Sequence, residues 1–325
     1  MICGMEKTVK GYGFFYIFVW QLARIDLPLH CCLKGYDMKR ICFLLLATLI
    51  AHAASAQVKD TLRVLAIGNS FSEDAVEQYL WELGKEAGVH FIIGNAYRGG
   101  WSLIGHWNDA RSKAVDTEYR KVTDGKRVNR GKYKLREIIT DEPWDVITLQ
   151  QVSQDAGRPE SYEPGLSLMI GYVTALAVDS VRLGFHQTWA YAQDSEHKGF
   201  ANYNYNQYNM YSSITAAVDK AMHQHRYDLT FYVPSGTAIQ NARTTVLANN
   251  QTKDKGVNRE LTRDGYHLNY TLGRYVVACT WFEVLTGKSA VGMKWRPKGM
   301  AKGLANIAQK AAHAAVVSPM AVSPI

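Results

Sequence analysis

Apolar runs of strand length alternate with longer segments of helical periodicity along most of the chain. Turn-forming residues bound the runs, which span 62–67, 91–93, 146–149, 181–185 and 229–233. The helix-like segments between and after them span 73–87, 133–140, 166–178, 208–225 and 272–286. Strands that alternate with helices predict a parallel sheet with helices on both faces, an α/β/α domain in three layers.

This pattern predicts one domain over 57–295 and leaves two segments without a strong period. Segment 296–325 is rich in small residues, which predicts a C-terminal helix followed by a flexible tail. Segment 99–132 is long and charged, which predicts a loop that borders a functional site or covers an edge of the sheet.

Residues 38–56 have the features of a secretory signal peptide. Lys39 and Arg40 precede an apolar stretch, and small residues lead to a cleavage site between Ala56 and Gln57. The apolar stretch is shorter than the roughly 20 residues that a spanning helix needs, so we expect no membrane insertion after cleavage. Residues 1–37 are interpreted as an extension upstream of the true start. We therefore expect a periplasmic or secreted protein.

Composition narrows the class of protein further. The chain is 47% hydrophobic and 20% charged, which is typical of a globular protein. Of its cysteines only Cys279 follows the predicted cleavage site, so no internal disulfide is expected in the mature chain. The net charge of +8 is not concentrated in a Lys/Arg block, so nucleic-acid binding is not indicated. The oligomeric state is left open.

The segment AIGNSFSED places Ser70 just after the first predicted strand and before a helix expected from Glu73. Ligands of open α/β sheets bind at the carboxyl ends of the strands, and a helix N-terminus stabilises an oxyanion. Ser70 is therefore a candidate nucleophile. Alternatively, Ser70 or Ser72 is only a helix N-cap. A phosphate-binding loop is poorly supported, because the segment has no G-x-x-x-x-G-K-[ST] pattern and no second glycine. The G-x-S-x-G elbow is missing, because Phe71 and Ser72 follow where it needs a glycine.

A serine nucleophile needs a base, and His267 is the strongest candidate. The segment RDGYHLN puts Asp264 three residues before it, where a carboxylate can orient the imidazole. The alternative is that Asp264 and Gly265 form an ordinary turn and His267 is a surface residue. The remaining histidines have simpler explanations; His197, for example, is interpreted as part of a charged loop. No metal site is predicted.

Together, AIGNSFS and RDGYHLN resemble the first and last sequence blocks of the SGNH (GDSL-like) hydrolase superfamily. The resemblance implies a flavodoxin-like sheet of five parallel strands. It also implies that Ser70 attacks an acyl carbonyl, that His267 is the general base, and that Asp264 orients His267. No metal or organic cofactor is needed for this chemistry.

The same resemblance suggests an oxyanion hole. The backbone N–H of Ser70 would contribute, and YRGGW offers Gly100, with Gly99 as the alternate, for the glycine of the second block. The asparagine of the third block is missing from DVITLQQVSQD, where Gln150, with Gln151 as the alternate, carries the same amide. This departure resembles a branch of the superfamily that is still described as a domain of unknown function.

The expected substrate is an acylated glycan or a small ester. Trp101 and Trp189 are candidate substrate contacts, although aromatic residues in loops also cover the edges of cores. We therefore expect an exported serine esterase that removes short acyl groups, chiefly O-acetyl, from carbohydrates through an acyl-enzyme. The alternatives are a catalytically silent glycan-binding protein on the same fold and an acyltransferase.

Overall fold

A computed structural model describes residues 61–249 and 261–325, which build a central sheet flanked by helices. The predicted signal peptide and the extension before it lie outside the described residues. Within the described part of the chain, no helix combines the length and the apolar composition that crossing a bilayer requires.

The strands, in chain order, are β1 Thr61–Gly68, β2 His90–Tyr97, β3 Thr117–Thr123, β4 Lys126–Tyr133, β5 Val146–Leu149, β6 Arg182–His186 and β7 Leu229–Val233. The α-helices are α1 Ser70–Val76, α2 Leu80–Glu86, α3 Leu103–Ser112, α4 Leu135–Ile139, α5 Gly165–Thr174, α6 Gln207–Gln224, α7 Ser235–Arg243, α8 Leu272–Thr286 and α9 Lys302–Val317.

The sheet has the order β4-β3-β2-β1-β5-β6-β7. The five strands β2, β1, β5, β6 and β7 are parallel. Their order is the flavodoxin-like one, because β1 lies between β2 and β5, the next parallel strand along the chain. The predicted α/β class is confirmed. The sheet has seven strands rather than five, because β3 and β4 form an antiparallel hairpin on the edge of β2.

This hairpin and helix α3 occupy most of segment 99–132, for which the sequence predicts a loop. Residues 126–132 of β4 are all exposed, so its sequence KRVNRGKY lacks the apolar run that marks the central strands. The prediction that the segment covers a sheet edge is correct, but it does so with paired strands. Charged side chains on an exposed outermost strand are typical of sheets that avoid pairing with other chains.

Parallel pairing brings the carboxyl ends of three central strands to one edge. Gly68 at the end of β1 lies beside Tyr97 of β2, and Ile67 lies beside Leu149 of β5. The residues that directly follow these strands are therefore neighbours in space. They include the predicted nucleophile, the glycine pair and the two glutamines.

The helix predicted over 73–87 is two short helices. The first begins at Ser70 with Asn69 as its N-cap. The helix is interrupted before the second begins at Leu80, and Tyr79 in this interruption has a left-handed φ of 72°. The Tyr79 hydroxyl donates to the carbonyl of Tyr270, and its ring packs on Trp295. Because these contacts come from distant parts of the chain and no Gly or Pro marks the break, the local sequence does not indicate it.

The C-terminal helices complete the core. Every residue of α8 except Val284 is buried, and the alanine-rich face of α9 packs on α7 and α8. Beyond α9, the chain is bonded back to α7, with the Thr237 hydroxyl donating to the Pro319 carbonyl at 2.7 Å and the Ser323 N–H donating to Asn241 at 2.7 Å.

Candidate active site

A cavity of about 280 Å³ lies at the carboxyl edge of the sheet. Its walls come from the start of α1, the turn after β2, the segment after β5 and two later loops. The described lining residues are Asn69, Ser70, Phe71, Tyr97, Gly99, Gly100, Val152, Ser153, Gln154, His197, Tyr266 and His267. The cavity therefore contains both the predicted nucleophile and the predicted base, which are far apart in sequence.

Ser70 is the first residue of α1 and is not its cap. The cap is Asn69, whose side-chain oxygen accepts from the N–H of Phe71 at 3.0 Å. Ser72 is buried, with its hydroxyl 2.7 Å from the Asn69 carbonyl and 2.8 Å from the Asn95 side chain. Ser70 is therefore the hydroxyl of this motif that lines the cavity, and Ser72 has a structural role.

The Asp264 carboxylate holds His267 through both of its oxygens. Oδ2 lies 2.6 Å from Nδ1 of His267, while Oδ1 accepts from the N–H groups of Tyr266 at 3.1 Å and His267 at 2.7 Å. Burial raises the pKa of Asp264, but the hydrogen bonds and charge of His267 outweigh burial, and the net pKa is lowered. With Nδ1–H donated to an ionised carboxylate, Nε2 is left to accept a proton.

A buried carboxylate links the helix of Ser70 to the histidine loop. Asp74, one turn after Ser70, is fully buried and accepts from the N–H of Leu268 at 2.7 Å. It also pairs with Arg263 at 3.0 Å and Arg274 at 2.5 Å. Because these contacts join the two elements directly, they fix the position of the base relative to the nucleophile.

The glycine pair forms a tight turn that lines the cavity. The turn closes where the N–H of Trp101 donates to the Arg98 carbonyl at 3.2 Å, and Gly100 has a φ of 67°, which favours glycine. Asn69 Nδ2 donates to the Trp101 carbonyl at 2.9 Å and so ties the turn to the N-cap of α1. Gly99 and Gly100 both remain candidates for the backbone oxyanion donor.

Neither glutamine amide lines the cavity. Gln150 is 2% exposed; its Nε2 donates to Asn69 Oδ1 at 2.8 Å and its Oε1 accepts from His186 Nδ1 at 3.0 Å. Gln151 is equally buried, and its Nε2 donates to the Ser161 carbonyl at 2.7 Å. The expectation that one of them donates directly to an oxyanion is therefore corrected: Gln150 supports the residue before Ser70 instead.

The two tryptophans do not line the cavity either. Trp189 is fully buried, stacks on Phe71 at 4.3 Å and donates from Nε1 to the Tyr266 carbonyl at 2.8 Å, so it supports the cavity from beneath. The Trp101 indole packs against the Arg98 guanidinium at 3.8 Å. The predicted role of Trp189 in substrate contact is corrected, because its indole is fully buried, whereas the role of Trp101 stays a prediction.

Sequence reasoning missed His197, Ser153, Gln154 and Tyr266, which line the cavity. Ser153 and Gln154 come from the segment after β5, and His197 comes from a loop that folds over the sheet edge. Tyr266 lies within RDGYHLN, but only Asp264 and His267 of that motif carry a predicted role. No group of three or more metal-ligating side chains occurs in the part of the chain that the structure describes.

The model of a protein family described as a domain of unknown function, DUF4886, matches residues 63–315. The chain belongs to the DUF4886 family. A crystal structure of a DUF4886 family protein from Bacteroides uniformis is 42% identical to this chain, covers 82% of it and 98% of its own chain, and superposes with a TM-score of 0.76. The predicted membership in a family still described as a domain of unknown function is confirmed.

Two other solved structures resemble this DUF4886 protein more distantly. A Slackia heliotrinireducens protein, provisionally described as an SGNH hydrolase, is 16% identical over 70% of this chain and 100% of its own, with a TM-score of 0.45. An acetylxylan esterase from Geobacillus stearothermophilus is 11% identical over 73% of this chain and 97% of its own, with a TM-score of 0.43. No curated protein matches the chain.

Proposed function

We propose that this DUF4886 protein is an exported serine esterase that hydrolyses short acyl esters, chiefly O-acetyl esters, of carbohydrates. One observation carries the proposal. Ser70 shares a small cavity with His267, whose Nδ1 lies 2.6 Å from the Asp264 carboxylate. A hydroxyl, an imidazole and a carboxylate that orients the imidazole are the components that serine hydrolases require.

In the proposed mechanism, His267 Nε2 takes the proton from Ser70 as the serine oxygen bonds to the acyl carbon. Backbone N–H groups of Ser70 and Gly100 receive the oxyanion that forms. When the tetrahedral intermediate collapses, the alcohol leaves with the proton from His267. A water molecule, deprotonated by the same imidazole, then releases the acid and regenerates Ser70.

The cavity supports the choice of substrate class. Its volume of about 280 Å³ is just below the range of about 300–1,000 Å³ for ligand pockets, which suits a short acyl group and one adjoining unit. Among the described lining residues none is Asp, Glu, Lys or Arg, while Tyr97, Gln154 and Tyr266 offer hydroxyl and amide groups. These features favour a neutral, polar ester.

The test uses the purified protein with p-nitrophenyl acetate, butyrate and octanoate, and a fluorophosphonate probe with peptide mapping. We expect the acetate ester to be hydrolysed fastest and the probe to label Ser70. Ser70→Ala should abolish both the hydrolysis and the labelling. The matched control is Ser153→Ala, since the Ser153 hydroxyl lines the same cavity but bonds to the Tyr191 hydroxyl at 2.8 Å. Hydrolysis that survives in Ser70→Ala would refute the proposal, and absent labelling would favour a glycan-binding protein.

Export is a separate part of the proposal, supported by the basic pair, apolar stretch and small-residue site in residues 38–56. Expression from Met38 in a Gram-negative host should yield a periplasmic protein whose first residue is Gln57. Intact-mass analysis of the periplasmic and cytoplasmic fractions measures this. An uncleaved protein confined to the cytoplasm would contradict export without bearing on the esterase chemistry.

A further inference from the structure

The cavity contains a second imidazole that the proposed mechanism does not use. The His197 ring lies 4.7 Å from the Tyr266 ring and 4.8 Å from the Tyr191 ring, measured between centroids. The His267 ring contacts the same Tyr266 ring at 4.2 Å. One phenol ring therefore contacts both imidazoles, and His197 is held close to the reacting groups.

The backbone fixes which nitrogen of His197 carries the proton. His197 is the N-cap of the short 3-10 helix Lys198–Tyr203, and its Nδ1 accepts from the N–H of Gly199 at 3.0 Å. A neutral imidazole with an accepting Nδ1 carries its proton on Nε2. Burial, and then the nearby charge of His267, lower the pKa of His197, so the ring is neutral at neutral pH.

The Nε2–H group of His197 is an available donor. It forms no hydrogen bond with the described residues, and it is not among their buried polar atoms that lack a partner. Since Nδ1 points to the backbone and the ring lines the cavity, Nε2 is the nitrogen that a bound molecule can reach.

An acetyl group offers one acceptor, its carbonyl oxygen, and the proposed backbone donors already serve that atom. Any further acceptor must belong to the alcohol part of the ester. A neutral donor there favours an alcohol that carries hydroxyl or ether oxygens, and a donor that the substrate leaves unpaired disfavours an alcohol without them.

We propose that His197 is a specificity-determining residue whose Nε2–H donates to a hydroxyl or ring oxygen of the alcohol part of the substrate. This inference rests on the proposed esterase function and names the residue by which the site selects esters of sugars and other polyols. Esters of hydrocarbon alcohols of similar shape would be poor substrates.

The experiment compares kcat/KM for a mono-O-acetyl pyranoside with that for cyclohexyl acetate, which has a ring of similar size but no hydroxyl groups. We expect the wild-type protein to prefer the sugar ester by about 10- to 100-fold, the range for one hydrogen bond in a binding site. His197→Phe, which keeps a ring between the two tyrosines, should reduce this ratio by about tenfold or more. His197→Gln restores an N–H near the position of Nε2 and should recover part of it.

The matched control is His223→Phe, because His223 lies on α6 with its side chain 78% exposed. It should leave the ratio as in wild type. A wild-type protein that does not distinguish the two esters would overturn the inference without any variant. An unchanged ratio of the two kcat/KM values in a folded His197→Phe would overturn it as well. If kcat/KM falls equally for both esters, His197 acts at the reacting carbonyl and not on the alcohol. Neither result affects labelling of Ser70, so the esterase proposal is tested independently.

Discussion

Replacing Gln150 by leucine should lower kcat even though the Gln150 side chain does not face the cavity. Its amide donates to Asn69, and Asn69 donates in turn to the Trp101 carbonyl at the end of the glycine turn. Without the first bond, the Asn69 side chain has fewer constraints. The turn that carries the Gly100 N–H then loses its fixed position relative to Ser70.

The expected losses of stability and of kcat follow from the groups that the substitution leaves unpaired. Gln150→Leu removes both hydrogen bonds of the amide and leaves the buried His186 Nδ1–H without its acceptor. An unsatisfied buried group costs about 1–3 kcal/mol, so the free energy of unfolding should fall by about 2–4 kcal/mol. Deleting an oxyanion donor costs about 2.7–4 kcal/mol. Displacing one costs part of that, so we expect kcat to fall by about 10- to 100-fold.

The assay is steady-state hydrolysis of p-nitrophenyl acetate, combined with urea unfolding of the same samples. Gln151→Leu is the matched control, because Gln151 is also buried and its Oε1 accepts from the N–H groups of Leu103 at 3.2 Å and Val152 at 2.8 Å. Its loss should reduce stability to a similar extent, but its contacts do not reach Asn69. We therefore expect a much smaller fall in kcat.

Two results would refute this reasoning. If Gln150→Leu loses stability but keeps wild-type kcat, the bond to Asn69 does not position the glycine turn. If Gln151→Leu loses as much kcat as Gln150→Leu, the effect is a general consequence of a weakened sheet edge.

Three further predictions test neighbouring parts of the site. Asp74→Asn keeps the shape but not the charge that pairs with the buried Arg274 and the half-buried Arg263. The free energy of unfolding should therefore fall by about 3–5 kcal/mol, and kcat should fall more than KM changes. A wild-type melting temperature would contradict this. Gly100→Ala (φ 67°) and its control Gly287→Ala (φ 68°) should each lower the free energy of unfolding by roughly 1–2 kcal/mol. Only Gly100→Ala should also lower kcat. Equal kcat values for the two variants would contradict a catalytic role for the turn of Gly99 and Gly100. Burial lowers the pKa of His186 to about 3. The same imidazole in the unfolded chain binds a proton near pH 6.5, so the free energy of unfolding should fall as pH drops from 6.5 towards 3, by up to about 1.4 kcal/mol per pH unit. Urea unfolding at several pH values measures this dependence. In His186→Gln, the change in the free energy of unfolding per pH unit should correspond to about one proton fewer.

The pairing of Asp264 with His267 and the position of Ser70 after a strand could be predicted because both are encoded locally. Asp264 and His267 are three residues apart in one turn, and a single carboxylate accepts both the imidazole and the backbone N–H groups of that turn. Ser70 follows a strongly apolar strand at the point where a helix begins. The parallel topology places Ser70 at the carboxyl edge of the sheet, and the contacts of Asp74 with Arg263 and Leu268 bring the histidine turn to the same edge.

The direction of a side chain just past a strand could not be predicted in the same way. Gln150 turns into the protein because Asn69 and His186, from the two flanking strands, offer an acceptor and a donor for its amide. Neither partner is visible in the local sequence. The cavity instead receives side chains from slightly later in the same segment, including Gln154. His197 was missed for a related reason, because its ring packs between Tyr191 of the same loop and Tyr266 of a distant one.

A buried row of polar side chains crosses the carboxyl edge of the sheet and has only one consistent arrangement of protons. The Ser235 hydroxyl lies 3.0 Å from His186 Nε2, His186 Nδ1 donates to Gln150, Gln150 donates to Asn69, and Asn69 donates to the Trp101 carbonyl. A proton added to His186 would remove the acceptor for Ser235, and burial opposes that proton until strongly acidic pH.

Because each member of this row has a defined donor and acceptor, the row can hold the glycine turn and the N-cap of α1 rigidly. The two cavity histidines come from loops outside the row: Asp264 orients His267, and Gly199 orients His197. The two sets of residues should therefore respond differently to substitution. A change within the row should lower kcat for all esters alike, since it displaces the oxyanion site. A change at His197 should alter which alcohol is preferred, since it removes a contact to that part of the substrate.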